Sequence, residues 1–110
     1  IWSQSWVLAD FAKVLAKLPL VHEPGTAWEY GHSTDILGRV VEVASGRTLD
    51  AFLDERILRP LRMADTTFSL PPAKHGRLAQ PQPDPVTGKT PELIDFTQPQ
   101  TLFAGGHGLV

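Results

Sequence analysis

The chain has no cysteine, one methionine and one tyrosine in its 110 residues. Without cysteine it has no disulfide, no thiolate metal site and no cysteine nucleophile, although the compartment stays open. An excess of charge of one sign is also missing, because ten basic and twelve acidic residues are interspersed and leave a net charge of −2. That balance supplies neither the basic stripe that gathers nucleic acid nor an acidic tail that captures cations. Apolar runs fall well short of the roughly 20 residues that span a bilayer, and no signal peptide is recognisable.

Several catalytic signatures are absent too. A serine nucleophile needs a base beside it, commonly histidine or lysine. None of Ser3, Ser5, Ser33, Ser45 and Ser69 has a lysine three positions later, and no Gly-x-Ser-x-Gly elbow occurs. No His-Glu-x-x-His or related metal spacing is present, and His22, His32, His75 and His107 are scattered. Each histidine alone reads as a surface or hydrogen-bonded residue. Thr87-Gly88-Lys89-Thr90 resembles a phosphate loop only superficially, since Pro83 stands where the first glycine belongs. Pro91 after Thr90 excludes a Lys-Thr-Gly triplet, so a turn in a proline-rich loop is the reading. No cofactor is implied.

What remains is a mainly α chain with an ordinary hydrophobic content of 42% and enough length for one small domain. Val7, Leu8, Phe11, Val14, Leu15 and Leu18 recur at helical offsets, with Ser5 as expected N-cap and Pro19 as stop. A loop is expected over 19–32, turning at Pro24-Gly25. Ser33 is the expected cap of a second helix whose buried stripe would be Ile36, Leu37, Val40, Val41 and Ala44. Asp35 would complement its dipole, and Gly46 would provide a left-handed exit. A third helix, capped by Thr48, would pack through Leu49, Phe52, Leu53 and Ile57 and close at Pro60. Alternation through Thr66, Phe68 and Leu70 predicts a short strand.

Residues 71–104 form a proline-rich irregular excursion, holding seven of the ten prolines, and 105–110 read as the start of a further element. Three helices and a little strand offer scant shelter for these apolar faces and for Trp2, Trp6 and Trp28. Missing partner elements are therefore expected, and with them exposed apolar surface and self-association.

Tyr30 is the residue of greatest chemical interest. A phenol, with a pKa near ~10, becomes a general base only where cations stabilise the phenolate. Lys13, Lys17, Lys74 and Lys89 are all distant from it in sequence. Read locally, Tyr30 packs beside Trp28 at the edge of a core.

The surrounding residues give it another context. Pro24-Gly25-Thr26-x-Trp28-x-Tyr30, Asp35-x-Leu37-Gly38, Ser45-Gly46-x-Thr48-Leu49, Phe52-Leu53 and Pro60-Leu61-x-Met63-x-Asp65-Thr66-x-Phe68 occur in that order. With the terminal Gly-Gly-x-Gly-Leu they resemble the serine β-lactamase-like superfamily, which embraces class C β-lactamases, carboxylesterases and penicillin-binding proteins. The resemblance implies part of a helical subdomain that borders an active site against an antiparallel sheet. It further implies hydrolysis of a small ester or amide through an acyl-serine, with Tyr30 at the catalytic tyrosine of a Tyr-x-Asn motif. That tyrosine works with the lysine of a Ser-x-x-Lys. His32 stands where the motif has asparagine, a substrate contact, which points away from β-lactams and towards esters.

The nucleophile would lie ahead of Ile1, so the chain by itself is expected to be inactive. Family members occupy bacterial periplasm, exterior and cytoplasm, leaving the compartment open. A non-catalytic relative or a free-standing helical module is the alternative, to be distinguished by the presence or absence of Ser-x-x-Lys upstream.

Overall fold

The computed structural model describes residues 6–91 and 94–110. Its helices are α1 (Leu8–Leu15), α2 (Ser33–Ser45) and α3 (Leu49–Leu53). The chain is mainly helical, and no strand occurs among the described residues. In α1 the apolar spacing buries Leu8 and Phe11, while Val14 and Leu18 remain open to solvent. The helix ends at Leu15 rather than Leu18, and Leu18 N donates to Leu15 O across a last tight turn before Pro19. Val7 holds the N-cap position; Ser5, the expected cap, lies outside the described residues.

Two details of α2 differ from expectation. The N-cap is His32 rather than Ser33, which begins the helix and is exposed. The buried positions are Asp35 and Gly38; of the expected stripe Val41 is half-buried against the core and Ile36 half-buried, whereas Leu37 and Val40, like the neighbouring Val43, stand 58%, 55% and 67% exposed. Close approach decides this orientation. A Cβ on Gly38 would meet Leu49 Cδ2 at 2.9 Å, with Leu8 Cδ1 and the Gly105 nitrogen each at 3.3 Å. Where three segments converge on one glycine, that face packs even though a more apolar face exists. Gly46 supplies the left-handed exit at φ 68°, as its position requires.

Thr48 occupies the N-cap of α3 without a side-chain bond to the helix. Glu42 takes that role from α2: its Oε1 accepts from Leu49 N at 3.1 Å, and its Oε2 accepts from Arg39 at 2.9 Å. Past Leu53 the helix widens into a π-type turn over Asp54–Leu58. The wider bond is Arg59 N to Asp54 O at 2.9 Å, just ahead of Pro60, whose ring would crowd the Arg56 carbonyl in a regular α turn. The wider turn buries Leu58 in place of Ile57, which is exposed. Arg62 follows in the left-handed region, at φ 57°.

The expected strand over 66–70 is not a sheet strand. Thr67 spends its hydroxyl locally, accepting from Ser69 N and donating to Ser69 O, which competes with any ladder. Thr67 and Val110 exchange both backbone hydrogen bonds, each at 2.9 Å, in the manner of one isolated antiparallel pair. Phe68 from this segment and Phe103 from the terminal one meet edge to face at 5.3 Å. Together with Leu8, Leu49, Leu58, Leu70 and Ala104 they build a thin core.

The proline-rich stretch folds back on this core. It contains a 3₁₀ turn over Pro72–Arg77, and Leu70 N donates to Phe96 O while Gln100 N donates to Ser69 Oγ. A turn is present in this stretch but lies over 84–88 rather than Thr87–Thr90: Gly88 N donates to Asp84 O at 2.8 Å, and Asp84 Oδ1 accepts from Val86 N, Thr87 N and Thr87 Oγ1. Residues 105–110 contain no helix. The radius of gyration is 16.2 Å, well above the roughly 13 Å of a compact domain of this length.

Candidate active site

Tyr30 lies on the loop between α1 and α2, within an unbroken run of solvent-facing residues over 16–31. It is itself 83% exposed. Trp28 is 86% exposed, so the two rings do not shelter one another and the packing account of Tyr30 fails. Among the described residues nothing bonds to the phenol. Thr26, whose Oγ1 and N both donate to Glu23 O, closes the turn at Pro24-Gly25, where Gly25 takes φ 81°. The phenol is thereby displayed on a defined loop rather than stored in the core.

His32 is placed differently. Its ring is 41% exposed and packs edge to face on the buried Phe11 at 5.1 Å. Nδ1 lies 2.9 Å from Oδ2 of Asp35, a side chain only 5% exposed. Helical geometry produces this contact, because the N-cap and the third helical residue share one face of the first turn. The other oxygen of Asp35 accepts from Gly106 N at 2.8 Å, and His107 Nδ1 approaches it to 3.8 Å.

Gly105 and Gly106 make the approach feasible. A Cβ on Gly105 would fall 2.1 Å from the Thr34 carbonyl oxygen, and one on Gly106 would fall 2.8 Å from Thr34 Oγ1. The terminal loop therefore lies directly on the start of α2, at a distance that only glycine permits.

Sequence reasoning singled out Tyr30 and His32 but gave Asp35 only a dipole role and treated His107 as isolated. The spacing His32-x-x-Asp35 was a signal for the first contact. Nothing local signals the second, which spans a sequence separation of 71 residues.

The perturbed acids lie elsewhere. Hydrogen bonds from Arg77 and Lys74 hold the Asp65 carboxyl well down, at about 2, and Lys74 also donates to Ala64 O. Asp84 and Asp95 are lowered chiefly by hydrogen bonds from Thr87 and Thr97. These are exposed loop staples, and a strongly shifted acid is not by itself a catalytic one. A cavity of about 670 Å³ beside Asp65, Lys74, Arg77, Phe96 and Val110 likewise excludes Tyr30 and His32. Its charges already satisfy one another, so the phenol and the imidazole carry the chemical interest. Among the described residues no three His, Asp or Glu gather to hold a metal, and no helix is long and apolar enough to cross a membrane.

The chain has recognisable relatives among known proteins. It is 42% identical over 98 residues to the esterase EstB of Burkholderia gladioli, covering 86% of this chain and 23% of that protein. It is 48% identical over 50 residues to the lovastatin esterase of Penicillium rubens, covering 46% and 12%. It is 44% identical over 52 residues to the acyltransferase mokF of Monascus pilosus, covering 47% and 13%. The chain thus spans about a quarter or less of the length of these relatives. The beta-lactamase family model matches residues 2–110, and the chain belongs to the beta-lactamase family.

Proposed function

We propose that the protein carrying this chain is a serine hydrolase that cleaves a small ester, or an amide, through an acyl-serine intermediate. The observation that carries this reading is the display of Tyr30, 83% exposed, immediately ahead of a helix start anchored by Asp35. In the proposed reaction the Tyr30 oxygen takes the proton of a serine hydroxyl as that oxygen bonds to the substrate carbonyl carbon. The same proton passes to the departing alkoxide when the ester bond breaks. Water then attacks the acyl-serine, gives its proton to Tyr30, and releases the acid as the serine recovers its hydrogen. The serine, and the lysine that would stabilise a phenolate, are placed outside these residues. His32 contacts the substrate.

The esterase names of two relatives support hydrolysis, and the acyltransferase name of a third supports an alcohol in place of water as acceptor. Both outcomes use the same acyl-serine. By itself the 110-residue chain would not turn over, since the nucleophile and the oxyanion donors each lower the barrier by about 3 kcal/mol or more.

In the full-length protein, Tyr30→Phe should lower hydrolysis of a chromogenic ester by about 100- to 10,000-fold without changing thermal unfolding. An unchanged rate would return Tyr30 to a passive surface role.

A further inference from the structure

Asp50, on α3, has a buried Oδ1 with no hydrogen-bond partner among the described residues. Its side chain borders a cavity of about 190 Å³ whose walls also include Asp54, Ser69, Leu58, Phe68 and Phe103, with no basic residue among them. The neighbouring carboxylate and hydroxyl are already engaged. Arg59 Nε stands 2.9 Å from Asp54 Oδ2, and Ser69 Oγ accepts from Gln100 N at 3.0 Å. The Asp54 charge is thus met, whereas no ion pair among the described residues meets that of Asp50.

A buried acceptor without a donor costs free energy, and a carboxylate costs more than a neutral oxygen because its charge also loses hydration. A water molecule would supply the hydrogen bond but leave the charge uncompensated. A cation carrying N–H groups supplies both. The remaining walls decide which cation. Leu58 and Phe68 are buried, and Phe103 meets Phe68 edge to face at 5.3 Å, so this part of the wall is aliphatic and aromatic. A hard metal ion is poorly served there, since it needs several oxygen ligands. An ammonium is compact and strongly hydrated. A guanidinium is planar and weakly hydrated, and it can lie against aromatic rings while its N–H groups reach a carboxylate.

We propose that the cavity beside Asp50 is a guanidinium site, in which Asp50 Oδ1 accepts an N–H while Leu58, Phe68 and Phe103 pack against the flat group. The guanidinium belongs either to a small molecule or to an arginine elsewhere in the same polypeptide, and one experiment separates the two. Neither Tyr30 nor His32 lines this cavity, so the site is independent of the hydrolase reading.

The experiment uses the full-length protein. Methylguanidinium is titrated alongside its neutral analogue urea at equal ionic strength, with the amide signals of Phe68, Ser69 and Phe103 as reporters. For a small-molecule site, wild type should bind methylguanidinium about tenfold or more tightly than urea, the worth of a charged hydrogen bond, and Asp50→Asn should abolish that preference. For an arginine of the same polypeptide, methylguanidinium should leave those signals unmoved. Labelling with ¹⁵N-arginine should then show a slowly exchanging guanidinium signal that Asp50→Asn abolishes and Arg59→Lys leaves in place.

The absence of both responses, or a preference for methylguanidinium that survives Asp50→Asn, would overturn the proposal. Should Asp50→Asn not fold, wild type still decides. Magnetisation transfer from the Phe68 and Phe103 rings to bound methylguanidinium, or to the slowly exchanging arginine, is expected, and its absence in both cases would sink the site.

Discussion

Helix α2 has one closed side and one open side. On the closed side Asp35 and Gly38 lie beneath the Gly105–Gly106 loop and against Leu8 and Leu49. On the open side Leu37, Val40 and Val43 face solvent, as do Trp28 and Tyr30 on the preceding loop. The contrast is contrary to hydrophobicity, since the closed side holds a carboxylate and a glycine. Close approach and complete hydrogen bonding outrank apolar character when segments must converge. The closed side sets His32 in place, while the open side presents an apolar surface for which these residues provide no cover.

The largest effect is expected from filling the closed side. Gly105→Ala sets a methyl 2.1 Å from the Thr34 carbonyl oxygen, a backbone clash that should cost about 3 kcal/mol in urea unfolding. Gly31→Ala, whose added Cβ meets nothing within 4 Å, should stay within about 0.5 kcal/mol. Equal costs at the two glycines would dissolve the distinction between the sides.

The open side should reveal itself in association rather than stability. We expect the isolated chain to self-associate in sedimentation velocity, and Leu37→Lys with Val43→Lys to make it monomeric while changing stability by about 0.5 kcal/mol or less. A wild-type chain that stays monomeric at high concentration would count against a sticky face.

A weaker contribution should come from Asp65, whose carboxyl the Arg77 and Lys74 hydrogen bonds hold at about 2, against an ordinary 3.8. A depressed folded value means that this stabilisation is fully present above 3.8 and drains away as pH falls through about 2. The group is exposed, so salt should weaken the effect. Asp65→Asn should remove the Asp65 part of the acid-dependent loss between those values, which pH-dependent unfolding would reveal. The smallest change is expected at Arg62, left-handed at φ 57°. Arg62→Gly should relieve backbone strain and raise stability by about 0.5 kcal/mol, after allowing for the looser unfolded chain.

Much of this fold was legible along the chain. Helical spacing marked Leu8 and Phe11, and Gly46 marked the end of α2, because these features depend on neighbours within one or two turns. The buried face of α2 was legible only in part: Val41 of the expected stripe packs against the core, but period ranks faces by apolarity and is blind to the Gly105–Gly106 loop that settles on Asp35 and Gly38. The strand expected over 66–70 failed for a related reason: alternation describes a surface, and a strand also needs a ladder, of which Thr67 finds one pair with Val110. Of the candidate site, the Tyr30 motif was evident from residue order. Its carboxylate anchor was not, since Gly106 reaches Asp35 across 71 residues.

The sequence by itself determined the helices, the turn before Tyr30, the absence of thiol chemistry and membership of the beta-lactamase family. These follow from local backbone preferences and from the identity of residues in order. Only the tertiary structure decided that Asp35 is buried, that His32 turns Nδ1 towards it, and that Leu37, Val40 and Val43 are left uncovered. The physical reason is that burial and hydrogen-bond partnership belong to pairs of segments, and the segments paired here lie far apart along the chain.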